Sequence, residues 1–253
     1  MNETLQQRLQ RVLPPQRKAL IVPIDHGLSM GNLPGLERPR ALLHSLRQAG
    51  VDGTLMSAGL AKRIGAERGE MSLTLTLDFQ LWSTQPGVQA AIQAEIPVST
   101  VRRAEALGAQ AVKLLFPWGL PPQVIRENLV MIAQVAEEAD RAGFPLMLEP
   151  LWMGSALDAE EHDRVIVHAA RIAVELGADI LKIPVVGEAA LEQILAWEIP
   201  TVFLGGARQD NPEALYRRIA EGLRMGARGV VIGRNVWQRP DMAEAIAAIR
   251  ASM

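Results

Sequence analysis

The chain has no cysteine, which excludes disulfide bonds and thiolate-held metals and is compatible with the cytosol. It also lacks any uninterrupted apolar run near the roughly 20 residues that a membrane span requires. The stretch from Met1 to Arg17 sets Glu3, Arg8 and Arg11 among glutamines and leucines, without the apolar centre of a signal peptide. Neither sign of charge is in excess: 26 basic and 28 acidic residues leave a net charge of −2. Nothing in that balance points to nucleic acid or an anionic membrane as partner. Histidine is scarce. His44, His162 and His168 fall in helical patterns and only His26 stands at a strand end, so a histidine-rich zinc site cannot be assembled. The remaining metal arrangement would be magnesium on Asp25, Asp78 and a substrate phosphate. We expect a cytoplasmic protein with no metal and no cofactor.

What is present is a repeated unit. Thr4 to Leu13 has the pattern of a short amphipathic helix stopped by Pro14-Pro15, suited to cap the bottom of a barrel or to pack on a neighbouring subunit. The buried run Ala19 to Ile24 then ends in Asp25. After it, helix patterns end in Gly50, Gly108, Gly143, Gly177 and Gly226, and an apolar strand follows each within a few residues. These strands are Gly53 to Ser57, Ala111 to Pro117, Leu146 to Leu151, Ile180 to Val185 and Gly229 to Gly233. Leu73 to Leu77 and Thr201 to Gly205 bring the number to eight. Strands alternating with helices imply right-handed parallel βαβ units. Eight in about 250 residues is the size of a (β/α)8 barrel. The expected fold is therefore one α/β TIM-barrel domain over residues 1–253, with 1–17 as a helical extension. A doubly wound open sheet is the alternative. Phe79 to Pro97 carries no clean helix pattern; a short hairpin or a mobile active-site loop would each fit that spacing.

Strand residues alternate between faces, so one parity fills the barrel interior. Lys182, in the apolar run Ile180 to Val185, shares its face with Ile180 and Pro184. By the same rule Lys113 lies inside with Ala111 and Leu115, Glu149 with Met147 and Leu151, and Asp25 with Ile21 and Pro23. The other parity would press each charge into the dry layer between strands and helices. Two lysines and two acids thus converge near the C-terminal strand ends, where such barrels keep their chemistry. The structural alternative is a self-neutralising pair of salt bridges. At the seventh and eighth strand ends, Gly205-Gly206-Ala207-Arg208 and Gly233-Arg234-Asn235 form candidate anion loops. Glycine lets backbone N–H groups approach an anion there, and Arg234 adds a charge-assisted hydrogen bond.

Ile24-Asp25-His26-Gly27, with Pro34-Gly35-Leu36-Glu37, resembles the opening of the archaeal-type fructose-bisphosphate aldolases and their relatives. Ile232-Gly233-Arg234-Asn235-Val236-Trp237-Gln238 resembles the closing phosphate motif of the wider class I, Schiff-base aldolase family. That family includes deoxyribose-phosphate and tagatose-bisphosphate aldolases, and the resemblance runs from about Leu20 to Pro240. It implies that Lys182 forms the imine and that Asp25 is the first-strand aspartate of the site. Lys113 and Glu149 resemble the strand-four lysine and strand-five glutamate of the tagatose-bisphosphate and sulfosugar-phosphate aldolases. The archaeal-type branch carries a tyrosine acid at the end of strand five, where this chain reads Leu148-Glu149-Pro150-Leu151-Trp152. Its one tyrosine, Tyr216, belongs to a late helix.

The expected reaction is aldol cleavage or formation on a phosphorylated ketose-like substrate. Lys182 attacks as an amine, its pKa lowered by burial and by nearby Lys113. Glu149 or Asp25 moves the proton at the reacting bond, and His26, Gly205, Gly206, Gly233 and Arg234 hold the anionic end. Thiolase-type acyl transfer on a phosphorylated diketone and non-catalytic sugar-phosphate sensing are the alternatives. A small anionic sugar-like substrate and a homo-oligomer, with no nucleic acid or membrane, complete the expected partners.

Overall fold

The glycine-ended helices and the apolar runs behind them close into a parallel barrel in the computed structural model, which describes residues 4–82 and 92–253. Along the chain the strands are β1 (Ala19–Pro23), β2 (Gly53–Ser57), β3 (Ser72–Thr76), β4 (Asp78–Trp82) and β5 (Ile92–Pro97). They continue with β6 (Ala111–Trp118), β7 (Leu146–Trp152), β8 (Ile180–Ile183), β9 (Thr201–Leu204) and β10 (Gly229–Val231). The barrel runs β1-β2-β3-β6-β7-β8-β9-β10 and returns to β1, all neighbours parallel. This is a (β/α)8 barrel, built from the eight runs that the sequence marks. Gly229 sits where β10 meets β1, and a Cβ there would lie 2.3 Å from the Ala19 carbonyl oxygen, so the closure requires a bare backbone.

The stretch from Phe79 to Pro97 takes the hairpin arrangement. β4 and β5 pair antiparallel, with Asp78 opposite Pro97 and Gln80 opposite Glu95. Residues 83–91, within that stretch, lie outside the described residues. The hairpin stands after β3 at the C-terminal mouth of the barrel, and Gln80 meets Ser29 of the short helix Gly27–Met30.

Strand parity sets the interior. Ile21, Ala111, Met147 and Ile180 join Leu55, Val202 and Val231 in one buried cluster, the lower filling of the barrel. Val12 and Leu13 belong to it too, so the helix Leu5–Val12 plugs the floor. That helix starts on a capping box: the Thr4 hydroxyl accepts from the Gln7 N–H while the Gln7 side chain accepts from the Thr4 N–H. On the opposite faces of the strands, Leu20, Leu73, Leu114, Leu148 and Leu181 pack under the helices in the outer core. Each such burial contributes about 1.5–3 kcal/mol. Among the described residues no helix is long and apolar enough to cross a membrane.

The floor has its own polar clasps. The first residues of a strand leave N–H groups without a ladder acceptor, and the side chain just ahead of a neighbouring strand supplies one. Asp52 accepts from Leu20 N–H at 2.8 Å, Gln110 from Leu73 N–H at 2.8 Å, and Asp179 from Leu146 N–H at 2.8 Å. Asp52 is also gripped by Arg17 from the first connection and by Arg250 from the last helix, each at 2.7 Å. It therefore ties both ends of the described chain to the barrel seam. We predict that Asp52→Ala lowers unfolding stability by about 3 kcal/mol, through a lost buried acceptor and lost charged hydrogen bonds. The urea midpoint should fall with the slope unchanged; a midpoint within error of wild type would remove Asp52 from that role.

Candidate active site

Above the apolar floor, the inward parity of adjacent strands turns from hydrocarbon to charge. Lys113 on β6, Glu149 on β7 and Lys182 on β8 follow Ala111, Met147 and Ile180 by two residues, so each stands one layer above the filling. All three side chains are buried. Glu149 bridges the two lysines: Oε1 lies 2.8 Å from Lys182 Nζ and Oε2 lies 3.0 Å from Lys113 Nζ. The expected direct effect of one ammonium on the other is thus mediated by a carboxylate that contacts both.

Two more acids surround Lys113. Asp78, at the start of the hairpin, has Oδ1 3.8 Å from Lys113 Nζ and accepts from the Leu115 N–H at 2.5 Å. Asp25 lies just beyond β1. It accepts from the Thr76 hydroxyl at 2.5 Å, and its other oxygen is 3.4 Å from His26 Nδ1, near enough for attraction though not aligned as a hydrogen bond.

These contacts decide the charge states. Burial alone would raise the pKa of Glu149, but Lys182 and Lys113 outweigh it and hold the carboxyl below its ordinary range. Asp25 follows the same logic: burial opposes ionisation, and His26 with the two lysines reverses the balance, so its pKa is well below the usual value. Lys113, which burial would discharge, is held above its ordinary range by Asp78, Glu149 and Asp25. Asp78 is pushed up, because burial exceeds what Lys113 and the Leu115 N–H return. Glu95, on β5, is pushed up to about 9 by burial first and by the neighbouring Asp78 second, so it is an uncharged acid at neutral pH. Its only hydrogen-bond partner among the described residues is the Gln80 amide, at 3.3 Å, and its Oε1 is buried without one.

A cavity of about 310 Å³ opens over this cluster at the barrel mouth, with Asp25, His26, Lys113, Glu149, Lys182 and Arg234 in its wall. Gly205, Gly206 and Gly233 do not line it. They belong to the loops behind Arg234, which Asn235 lashes together: its amide nitrogen donates to the Gly205 and Ala207 carbonyls at 2.9 Å, and its oxygen accepts from the Gln209 N–H at 2.9 Å. Gly233 leaves room for neighbours, since a Cβ there would come within 3.0 Å of Trp237 Nε1 and 3.1 Å of His26 Cε1. The Trp237 indole donates to the Pro23 carbonyl at 3.0 Å and meets the His26 ring edge-on, fixing His26 at the rim. A wider hollow of about 480 Å³ lies beneath the floor, against the N-terminal helix, and none of the predicted site residues reaches it.

Tyr216 sits on the helix Glu213–Met225 and is absent from the cavity wall. Among the described residues, no three histidine or acidic side chains stand close enough to hold a metal ion. Sequence reasoning missed Thr76, Gln80, Trp82 and Glu95, and took Asp78 only as a metal ligand. Asp78 had a signal, as the acid directly after the apolar run Leu73 to Leu77. Glu95 had none, because its burial comes from a hairpin folding back across the mouth.

A family profile described as DeoC/LacD family aldolase matches residues 19–239 of this chain. An uncharacterized aldolase of Saccharolobus solfataricus is 31% identical over 248 residues, 92% of this chain and 89% of that protein. The 2-amino-4,5-dihydroxy-6-oxo-7-(phosphonooxy)heptanoate synthase of Streptomyces griseus is 32% identical over 241 residues, 92% of this chain and 84% of the synthase. Among solved structures, a Schiff-base-forming fructose-1,6-bisphosphate aldolase superposes with a TM-score of 0.82 at 28% identity, covering 98% of this chain and 99% of the other.

The uncharged state of Glu95 generates a prediction. This acid holds its proton to about pH 9 when folded but releases it near its ordinary 4.5 when unfolded. Between those values the folded chain binds more protons, so this group makes stability fall as pH rises. Glu95→Gln should flatten that slope and unfold at a higher temperature than wild type at pH 8.5, with the difference closing toward pH 4.5. An unchanged slope would place the titration elsewhere.

Proposed function

The chain belongs to the DeoC/LacD aldolase family, and we infer from this that it makes or breaks a carbon–carbon bond through a lysine imine, with Lys182 as the imine-forming residue. The observation that carries the assignment is the buried contact of Lys182 Nζ with Glu149 Oε1, at 2.8 Å, inside the cavity at the barrel mouth. An ammonium cannot attack a carbonyl; it must first pass its proton to a base within hydrogen-bond reach, and Glu149 is that base. The amine then adds to a substrate ketone and water leaves, giving an iminium. Glu149 returns the first proton to the departing hydroxyl. The iminium carries the same positive charge as the ammonium it replaces, so the pairing with Glu149 survives imine formation.

The iminium draws in the electrons of the carbon–carbon bond beside it, which breaks as the hydroxyl on the far carbon loses its proton. Glu149 accepts that proton and later delivers it to the enamine carbon, before water releases the second product. Asp25, held ionised and hydrogen-bonded by Thr76, orients the hydroxyls near the first strand. Lys113 keeps Glu149 as a carboxylate between turnovers and limits its basicity. A tyrosine acid has no counterpart in the cavity wall, so the carboxylate between two ammonium groups takes over proton transfer. Arg234 and His26 receive the phosphate or other anion of a ketose-like substrate, with the Gly205, Gly206 and Gly233 loops shaping the space behind them.

Borohydride treatment with a three-carbon ketone phosphate should add a stable mass to the peptide bearing Lys182. Lys182→Met should remove the adduct and the turnover while leaving the circular dichroism spectrum intact. Glu149→Gln should lower kcat by about 10²–10⁴-fold, the usual range for a lost general acid–base group. Turnover without any adduct on Lys182 would sink the assignment.

A further inference from the structure

The cavity wall is lopsided. Around the barrel, Arg234 follows β10, Lys182 and Glu149 stand on β8 and β7, and the β4–β5 hairpin rises beside β6, across the mouth from Arg234. Arg234, Lys182 and Glu149 occupy the first part of that arc. The hairpin end is formed by Trp82, Leu115, Leu151 and Met153, which line the cavity and pack around Ile92 in a separate apolar cluster.

Among the described residues, no lysine or arginine other than Lys113 lines the hairpin end of the cavity. β4 and β5 contain no basic residue, and the sequence between them, residues 83–91, contains none either. The connections that follow β6 (residues 119–121) and β7 (residues 153–158) are likewise free of lysine and arginine. Lys113, the nearest ammonium, is engaged by Glu149 and Asp78. The two carboxyl groups buried under the hairpin, Asp78 and Glu95, are not among the residues that line the cavity and add no positive charge to that end. Ser29 and Gln80, the remaining polar side chains there, hydrogen-bond each other at 2.6 Å. The Trp82 indole N–H is buried without a partner among the described residues, a single donor suited to one neutral oxygen. At the opposite end, Arg234 has a buried Nε that also lacks a partner among the described residues.

We propose that the substrate is anionic at one end only: Arg234 takes its single phosphate or equivalent anion, and the wall of Trp82, Leu115, Leu151 and Met153 takes an uncharged, largely apolar aldehyde portion. This rests on the imine reading of Lys182, which places the reacting carbon between the two ends. In the synthetic direction, the ketone phosphate is held as the enamine on Lys182, and its nucleophilic carbon adds to the carbonyl carbon of a neutral aldehyde. The new alkoxide takes its proton from Glu149. A bisphosphate would need to strip water from its second phosphate against hydrocarbon, so it is a poor substrate.

The test uses the full chain with dihydroxyacetone phosphate as donor and compares propanal and butanal with glyceraldehyde 3-phosphate as acceptors, reading product by mass spectrometry. We expect kcat/KM for the neutral aldehydes to exceed that for the phosphorylated one by about tenfold or more, the discrimination that a small change in an apolar wall supports. Met153→Arg, a cation placed in that wall, should move the ratio toward the phosphorylated acceptor by a similar factor. Borohydride trapping of the donor alone is run in parallel. Absence of a trapped adduct overturns the imine reading itself. A trapped adduct with the phosphorylated acceptor used equally or better overturns this inference alone, as does a trapped adduct with no neutral aldehyde used. An unmoved ratio in a folded Met153→Arg that still traps the donor also counts against it.

Discussion

Glu149 holds two ammonium groups, Lys182 at one oxygen and Lys113 at the other, in a place that water hardly reaches. Remove the carboxylate and two buried cations face each other unpaired. Remove either cation and the acid loses part of what keeps it ionised. Stability gives no reason for such a cluster, because apolar residues of similar volume would fill a barrel core as well or better. Under the proposed mechanism its justification is chemical: a base in contact with the amine it would discharge, kept anionic by a second cation that takes no part in bonding.

The fold supplies that contact by counting. A two-residue step up each of β6, β7 and β8 carries the interior from Ala111, Met147 and Ile180 to Lys113, Glu149 and Lys182. β6 and β7 share the longest ladder of the barrel, from Val112 opposite Leu146 to Trp118 opposite Trp152. The Lys113–Glu149 contact is therefore built on the most extensively paired strands of the barrel. Asp52, Gln110 and Asp179 fasten the other end of the barrel, where slippage by one residue would turn every inward charge outward.

Period-two alternation is a strong signal when the wrong parity would bury a charge against helices, and for that reason the eight strands and the inward acids and lysines were legible from the residues alone. What alternation does not encode is which charge meets which. That depends on the stagger between strands, and so the position of Glu149 between the lysines, with no bare lysine–lysine pair, needed coordinates. The hairpin was one of the two arrangements the spacing allowed, but its buried glutamate was hidden for another reason. Ile92-Gln93-Ala94-Glu95-Ile96-Pro97 has the look of an edge strand with a solvated glutamate, yet β4 and the barrel rim bury that glutamate. The glycine loops differ again. Their spacing suggested contact with an anion, whereas in the structure they shape a loop pair that Asn235 binds together, with Arg234 alone of that group reaching the cavity.

Glu149 and Glu95 show how far environment divides one residue type. The first has an ammonium on each oxygen and is an anion; the second has a single amide partner and acidic neighbours, and is a neutral acid at pH 7. The division sets the charge that a ligand feels. Lys113 and Lys182 are balanced by Glu149 and Asp25, both held ionised, so the cluster as a whole offers an anion little net attraction. Arg234 stands in the same wall with its Nε unpartnered among the described residues, and Glu149 acts on it only through space. Under the proposed mechanism a charged group on the substrate thus has one favourable place to go, and that place would orient the rest of the molecule across Lys182. The neutrality that makes the lysine–glutamate cluster tolerable in a barrel core also leaves one arginine at the rim, in that proposal, to decide which way the substrate lies.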